Sequence, residues 1–367
     1  MSFLSIARPS FIACAAGALL AGCSNTGTPS STPSLTSGSA ATVLRGALQH
    51  GAVPSLAAQP NAAARPNHHK SWVSPDAKRA PRLLFISDYG ASDVNIFTLP
   101  DLTLKGTLTG LDFPEGECSD ASGNIWIANT GASEMLLYTR TGTLLKTLSV
   151  PNEFPAGCSV NKSNNDLAVT NIESISGGAG SLMVFKNGTG NGTTYTAPNF
   201  YLYFFAGYDE SGNLFFDGMD VSRLTSYLAE LPNGSSTPVS ITLNGPTLYV
   251  AGLVQWYKSG GYLALGDQEC GGIPSSCIFF VSISGSTGNI TGGTSVTTYN
   301  GNPVCDLAEG VIAANGERYV AGADYESCGY TPITANRWPY PAGGPPTNYN
   351  NTTSTFIEPL GAAVSTK

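Results

Sequence analysis

Residues 113–150 read FPEGECSDASGNIWIANTGASEMLLYTRTGTLLKTLSV, and this stretch carries both the strand pattern and the repeat that fix the fold. GNIWIAN (123–129), EMLLYTRTG (134–142) and LLKTLSV (144–150) are short apolar runs punctuated by Gly, Asn and Ser, the mark of strands joined by tight turns. With the PEGECSD segment they make four strands. The preceding stretch aligns to this one without a gap at an offset of 41 residues. Phe85 meets Trp126, Phe97 meets Tyr138, Lys105 meets Lys146, and Phe113-Pro114-Glu115-Gly116 meets Phe154-Pro155-Ala156-Gly157 in the next copy. A fixed period of this length signals a propeller or a solenoid built from one repeated unit.

Looser copies follow as NDLAVTN (165–171), GNLFFDG (212–218), GYLALGD (261–267) and GERYVAG (316–322). With Phe85, Trp126, Ala168, Phe215, Leu263 and Tyr319 as anchors the spacings are 41, 42, 47, 48 and 56, and six units result. Pro359-Leu360-Gly361 looks like the opening PEG of a seventh unit whose other strands are missing. Counted round to Phe85, it supplies the innermost strand that the first unit lacks. The expectation is an all-β, six-bladed β-propeller of four-stranded blades, its ring closed by the C-terminal strand joining the first blade, which leaves few free sheet edges.

Composition agrees. Only 11% of residues are charged, while Gly (43) and Pro (24) are abundant, a mixture that suits strands and turns rather than long helices. From Arg82 onward 11 Lys and Arg face 24 Asp and Glu. So acidic a body without a basic stripe repels phosphate backbones, and nucleic acid is excluded as a partner.

Residues 1–23, MSFLSIARPSFIACAAGALLAGC, carry a positive charge at Arg8, an apolar run from Phe11 to Leu20 and small residues before Cys23. This is a signal-peptide layout with a run too short to span a bilayer. Leu20-Ala21-Gly22-Cys23 resembles the bacterial lipobox, which implies lipidation of Cys23, export, and anchoring to the cell membrane or outer membrane facing periplasm or exterior; the chain is separately expected to be a monomer. Residues 24–81, rich in Ser, Thr, Pro and Ala, read as a flexible spacer, and the propeller is assigned to 82–367.

GNIWIAN, GNLFFDG and their neighbours resemble the repeats of NHL and gluconolactonase-type propellers over about residues 82–367. In that family a Glu in a segment similar to Glu115-Gly116-Glu117-Cys118-Ser119-Asp120 binds a divalent metal. The resemblance implies a candidate set of Glu115, Glu117, Asp217 and Glu309 for Ca2+ or another divalent cation, and a lactonase-like hydrolase as one reading of function. The chain departs from the family pattern at Ala156 and at Phe205-Ala206-Gly207, where family ligands are expected. All three histidines, His50, His68 and His69, precede the propeller, so a His-dependent hydrolase or lyase cannot be assembled within it. The other reading is a non-catalytic propeller that binds an envelope protein, a glycan or a small ligand, with Trp256, Tyr257, Trp338 and Tyr340 as a candidate aromatic surface. PEG itself also reads as a mere repeat-turn sequence.

Six cysteines fall in the propeller, which for an exported domain suggests disulfides. The spacing offers Cys118 with Cys158, Cys270 with Cys277 and Cys305 with Cys328. In the strict 41-residue register Cys118 matches Ser159, which sets Cys118 and Cys158 on different faces and counts against that pair unless a bulge shifts one strand. Asp88, Asn129 and Asn171 recur at the ends of second strands, where they read as turn residues or as a polar ring about a channel.

Overall fold

The structure is a computed structural model that describes residues 70–220, 225–273, 275–313, 317–324, 333–350 and 356–367. Cys23, the signal segment, most of the spacer and the three histidines lie outside the described residues. The described chain is a β-propeller of antiparallel sheets, each counted from the channel outward. The first sheet runs Pro359–Thr366, Arg82–Asp88, Asp93–Thr98, Leu104–Thr109 and Trp72–Val73. The second runs Pro114–Ser119, Ile125–Asn129, Glu134–Tyr138 and Leu144–Ser149, and the third Glu153–Asn161, Asp166–Ser174, Ala179–Phe185 and Thr193–Tyr195. The last sheet runs Gly310–Ile312, Tyr319–Ala323, Ala335–Pro339 and Asn348–Asn350.

Between the third and last sheets the repeat takes a different form. Leu202–Tyr208, Leu214–Asp220, Thr225–Leu231 and Val239–Asn244 continue directly into Thr287–Ser295, Cys277–Ser284, Tyr262–Asp267 and Ala251–Tyr257 as one eight-stranded sheet. The join is a short parallel pairing, Thr242 with Thr287 to Asn244 with Asn289, between two outermost strands. The expected row of separate four-stranded sheets is therefore interrupted here, because two sheet edges that would otherwise face solvent satisfy each other.

The C-terminal strand closes onto the first sheet in the register the repeat implies: Ala363 pairs Phe85 as Cys118 pairs Trp126. The innermost strands follow one another in cyclic order around a channel, each packed against the next. They approach backbone to backbone. A Cβ added at Gly361 would strike the Glu115 carbonyl, one at Gly116 the Ala156 carbonyl, and one at Gly157 the Phe204 carbonyl. The ladders to the second strands shift register at the same places, as between Pro114 and Glu117 or between Ser87 and Asp88. The recurring PxG is thus a bulged inner strand and not a turn, with glycine demanded by close approach to the neighbouring strand.

Folded structure also begins earlier than residue 82. Trp72–Val73 pairs with the outer edge of the first sheet, and Ala77 is wholly buried beside Leu83 and Phe85. Lys105 anchors Asp76 at 3.0 Å, and the Arg140 guanidinium donates to the Ala80 carbonyl at 2.6 Å. The polar composition of the spacer hid a short β-prone pair, Trp72-Val73, with a ready edge to join.

Cys118 is bonded to Cys158 and Cys270 to Cys277, with Cα separations of 5.6 and 5.8 Å. Cys305 is also disulfide-bonded, and Cys328 lies outside the described residues. The one-residue mismatch of Cys118 and Cys158 turns out to be what their bond requires. Equivalent positions on two stacked sheets point in the same rotational sense and never meet. A link between sheets needs side chains on opposite faces, and a step of one residue supplies that.

Candidate functional site

At one end of the channel lies a cavity of about 660 Å3, rimmed by the turns that leave the innermost strands. These turns fold by a local rule. In Asp120-Ala-Ser-Gly-Asn124 the Asp120 carboxylate accepts the backbone N–H groups of Ser122 and Asn124, both at 2.8 Å, and the Asn124 side-chain amide at 2.8 Å. Asp209-Glu-Ser-Gly-Asn213 repeats the arrangement, its carboxylate accepting from Ser211 and Asn213. These rim aspartates are occupied by their own turns.

Deeper in, Glu117 and Glu309 come together although 192 residues separate them. The Glu309 carboxylate accepts the backbone N–H of Glu117 at 2.9 Å and that of Ala362 at 3.0 Å, joining three innermost strands' neighbourhoods at one oxygen. Glu309 stays partly open to the cavity, yet burial in the channel wall pushes its carboxyl up to about 8. Glu117 is 2% exposed, and neither of its oxygens has a well-formed hydrogen bond. Burial, and after it the Glu309 charge, raise its carboxyl well above the usual range, against a weaker opposing pull from the Ala363 N–H. Phe205, Val254 and Trp256 form an apolar wall, and the Cys118–Cys158 bond lines the same space.

The remaining predicted carboxylates lie elsewhere. Glu115 is buried with the charges of Glu358 and Glu173 nearby, and burial raises its carboxyl before those charges add to the effect. Burial brings Glu173 to about 7. Asp217, fully buried, accepts the Phe205 N–H at 2.8 Å, which opposes the upward push of burial. Glu115, Glu117, Asp217 and Glu309 therefore do not form one set. Among the described residues no three His, Cys, Asp or Glu side chains are placed to hold a metal ion. A hard cation such as Ca2+ takes six to eight oxygens, so the donor set does not fit it.

The aromatic surface is also redistributed. Trp338 is wholly buried and donates its indole N–H to the Thr297 carbonyl at 2.8 Å. Tyr340 and Tyr257 are buried against each other edge to face, with centroids 5.2 Å apart. The surrounding Pro and Gly residues suggested a surface loop, but Ala335–Pro339 is a strand whose aromatic residue packs between sheets. Trp256 alone of the four lines the cavity.

Asp88 and Asn129, with Asp267 beside them in role, clamp the approach to the innermost strand of their own sheet; Asp88 also holds its own turn through the Ala91 N–H at 3.0 Å, and Asn171 instead donates to the Ser181 hydroxyl at 3.1 Å. Asp88 accepts from Ile357 and Glu358 at 2.7 and 2.8 Å, Asn129 from Asp112 at 2.7 Å, and Asp267 from Tyr249 and Val250 at 3.1 and 3.0 Å. Two cavity residues carried no sequence signal. Phe205 belongs to a degenerate copy of the PxG segment, and Lys162 sits in a turn where the sister turns have Ala and Glu.

No family model matches this chain, and no curated protein sequence matches it. Solved structures do resemble it. A protein of unknown function from Bacteroides caccae matches with a TM-score of 0.58 and 11% identity over 78% of this chain and 100% of its own. A chain of a nidogen/laminin complex matches with a TM-score of 0.58 and 9% identity over 77% of this chain and 98% of its own. Virginiamycin B lyase from Staphylococcus aureus matches with a TM-score of 0.49 and 13% identity over 80% and 91%. At such identities the likeness is one of fold.

Proposed function

We propose that this chain is an exported, lipid-anchored, six-bladed propeller that binds a small ligand in the cavity at the turn-bearing end of its channel, without catalysing a reaction there. The observation that carries the reading is Glu117, a buried carboxylate with no well-formed hydrogen bond, lining a cavity of about 660 Å3 together with Phe205, Val254 and Trp256. Pockets that bind small molecules are concave, mostly apolar and furnished with few directed polar groups. In this reading the eight-stranded sheet counts as two blades fused at their outer edges, and kinship with NHL and gluconolactonase-type repeats rests on the GNIWIAN and GNLFFDG segments. The lipobox-like Leu20-Ala21-Gly22-Cys23 supplies the tether. The absence of histidine from 70–367 and the dispersal of the acidic set favour binding over hydrolysis.

Two measurements test this. Mass spectrometry of the full-length protein from its native envelope is expected to find acyl chains on Cys23, and Cys23→Ala to release an unacylated protein. A thermal-shift screen of small molecules is expected to find stabilising compounds with no turnover. Calcium-dependent hydrolysis of a lactone, abolished by Glu115→Gln, would overturn the non-catalytic reading.

A further inference from the structure

We infer that the ligand of this cavity is an organic ammonium ion, its cationic head received by Glu117 and Glu309 and its apolar body lying along Phe205, Val254 and Trp256. The inference rests on the cavity being a ligand site and assigns the chemical class of what enters it.

The fold leaves one buried carboxylate of the cavity unused. The Glu309 side chain is occupied by structure, holding the N–H groups of Glu117 and Ala362. Glu117 lines the cavity and contributes its backbone to that contact, while its two carboxylate oxygens, themselves nearly without exposure, have no well-formed hydrogen bond. Removing a carboxylate from water without a partner is costly, and the Ala363 N–H offsets it only weakly. The cations that line the same cavity are engaged away from Glu117: Arg82 pairs with Glu317, Lys258 with Glu210, and Lys162 donates to the Ser119 hydroxyl at 3.0 Å.

Each competing class meets an obstacle. An anion would face two carboxylates at close quarters. A hard metal ion finds no third acidic, His or Cys ligand among the described residues. A sugar would find its polar partners at the rim, where Asp120 and Asp209 already hold their own turns and Lys162 donates to Ser119, rather than beside Phe205, Val254 and Trp256. A primary ammonium group brings three N–H donors to the unsatisfied oxygens in charge-assisted bonds, and an attached hydrocarbon or aromatic body covers the wall.

The test uses the full chain and ligand-observed NMR titration at pH 8.5 with two matched probes, 2-phenylethylamine and its neutral isostere 2-phenylethanol. The amine is expected to bind at least about tenfold more tightly. Glu117→Gln is expected to remove that preference while the protein stays folded. Glu309→Gln, which keeps an oxygen for the two N–H groups, is expected to weaken amine binding, and Lys105→Ala, near the outer edge of the first sheet and remote from the cavity, to leave it unchanged. Equal affinity for amine and alcohol, or a preference that survives Glu117→Gln, overturns the ammonium assignment. A screening hit that occupies the cavity but carries no amine would overturn the assignment and leave the ligand site standing. If no compound of any class enters, both readings fail.

Discussion

Asp267 and Glu117 are both acidic, both nearly without exposure, and both raised by burial, yet they do opposite things for the fold. Asp267 spends its carboxylate on three backbone N–H groups, those of Tyr249, Val250 and Glu269, at 3.0 to 3.1 Å. In doing so it fixes the entry to the innermost strand Ala251–Tyr257. Glu117 sits within its own innermost strand and offers its carboxylate to none of the backbone around it in good geometry. A buried acid is thus not a functional signal in itself. The difference lies in whether the fold has already used it, because an unmade hydrogen bond costs far more than a made one contributes.

Removing the used carboxylate has the largest expected effect. Asp267→Ala strands three N–H groups, and at about 1–3 kcal/mol for each buried donor left unsatisfied, less whatever water recovers, the loss is expected to be about 3–5 kcal/mol. Urea unfolding of the variant should show it, and a loss under about 1 kcal/mol would erase the distinction between the two acids. Next in size is the Cys118–Cys158 bond, which staples the strand carrying Glu117 to its neighbour across a sequence separation of 40. Replacing both cysteines by Ser is expected to cost ~2–4 kcal/mol by the loop-entropy account, read by the same unfolding curves.

The unused carboxylate should behave in the reverse sense. Glu117→Gln is expected to stabilise the unliganded protein by ~1–2 kcal/mol at pH 8, since the neutral amide avoids burying a charge. The sign follows from linkage. Both Glu117 and Glu309 have folded carboxyls above their ordinary 4.5, Glu309 at about 8. The folded state therefore holds more protons than the unfolded one between those values, and stability falls as pH rises from 4.5 toward 8. Below about pH 4.5 both forms are neutral and the variant's advantage disappears. Melting temperatures of wild type and variant across pH 4 to 9 check this; curves that stay parallel would show that Glu117 is solvated or paired after all.

The contrast also explains what the sequence could reveal. The repeat anchors and the returning Pro359-Leu360-Gly361 were legible because strand alternation and close inner-strand packing act on every copy alike, so each copy restates the constraint. The Cys118–Cys158 pair is offered by the repeat, but its one-residue step counts against the bond until the stacking of the sheets shows that opposite faces are what the bond needs. Glu117 with Glu309 was not visible as a pair, because their meeting depends on ring closure across 192 residues and on no local pattern. Trp338 and Tyr340 misled because Pro and Gly beside an aromatic describe a loop as well as a strand end. The parallel join of Val239–Asn244 to Thr287–Ser295 left no trace, since only three residue pairs make it and they carry no shared pattern.

The smallest effect concerns the rim, where carboxylates are used locally. Asp120 holds its own turn through Ser122 and Asn124 at the edge of the cavity, half-buried and within reach of water. Asp120→Ala leaves donors that solvent can satisfy, so the expected cost is only ~1 kcal/mol. This variant weakens the fold slightly and changes amine affinity far less than Glu117→Gln does. Glu117→Gln does the converse, strengthening the fold and removing the amine preference. Measuring stability and affinity on both variants separates a carboxylate that holds the protein from one that holds its ligand.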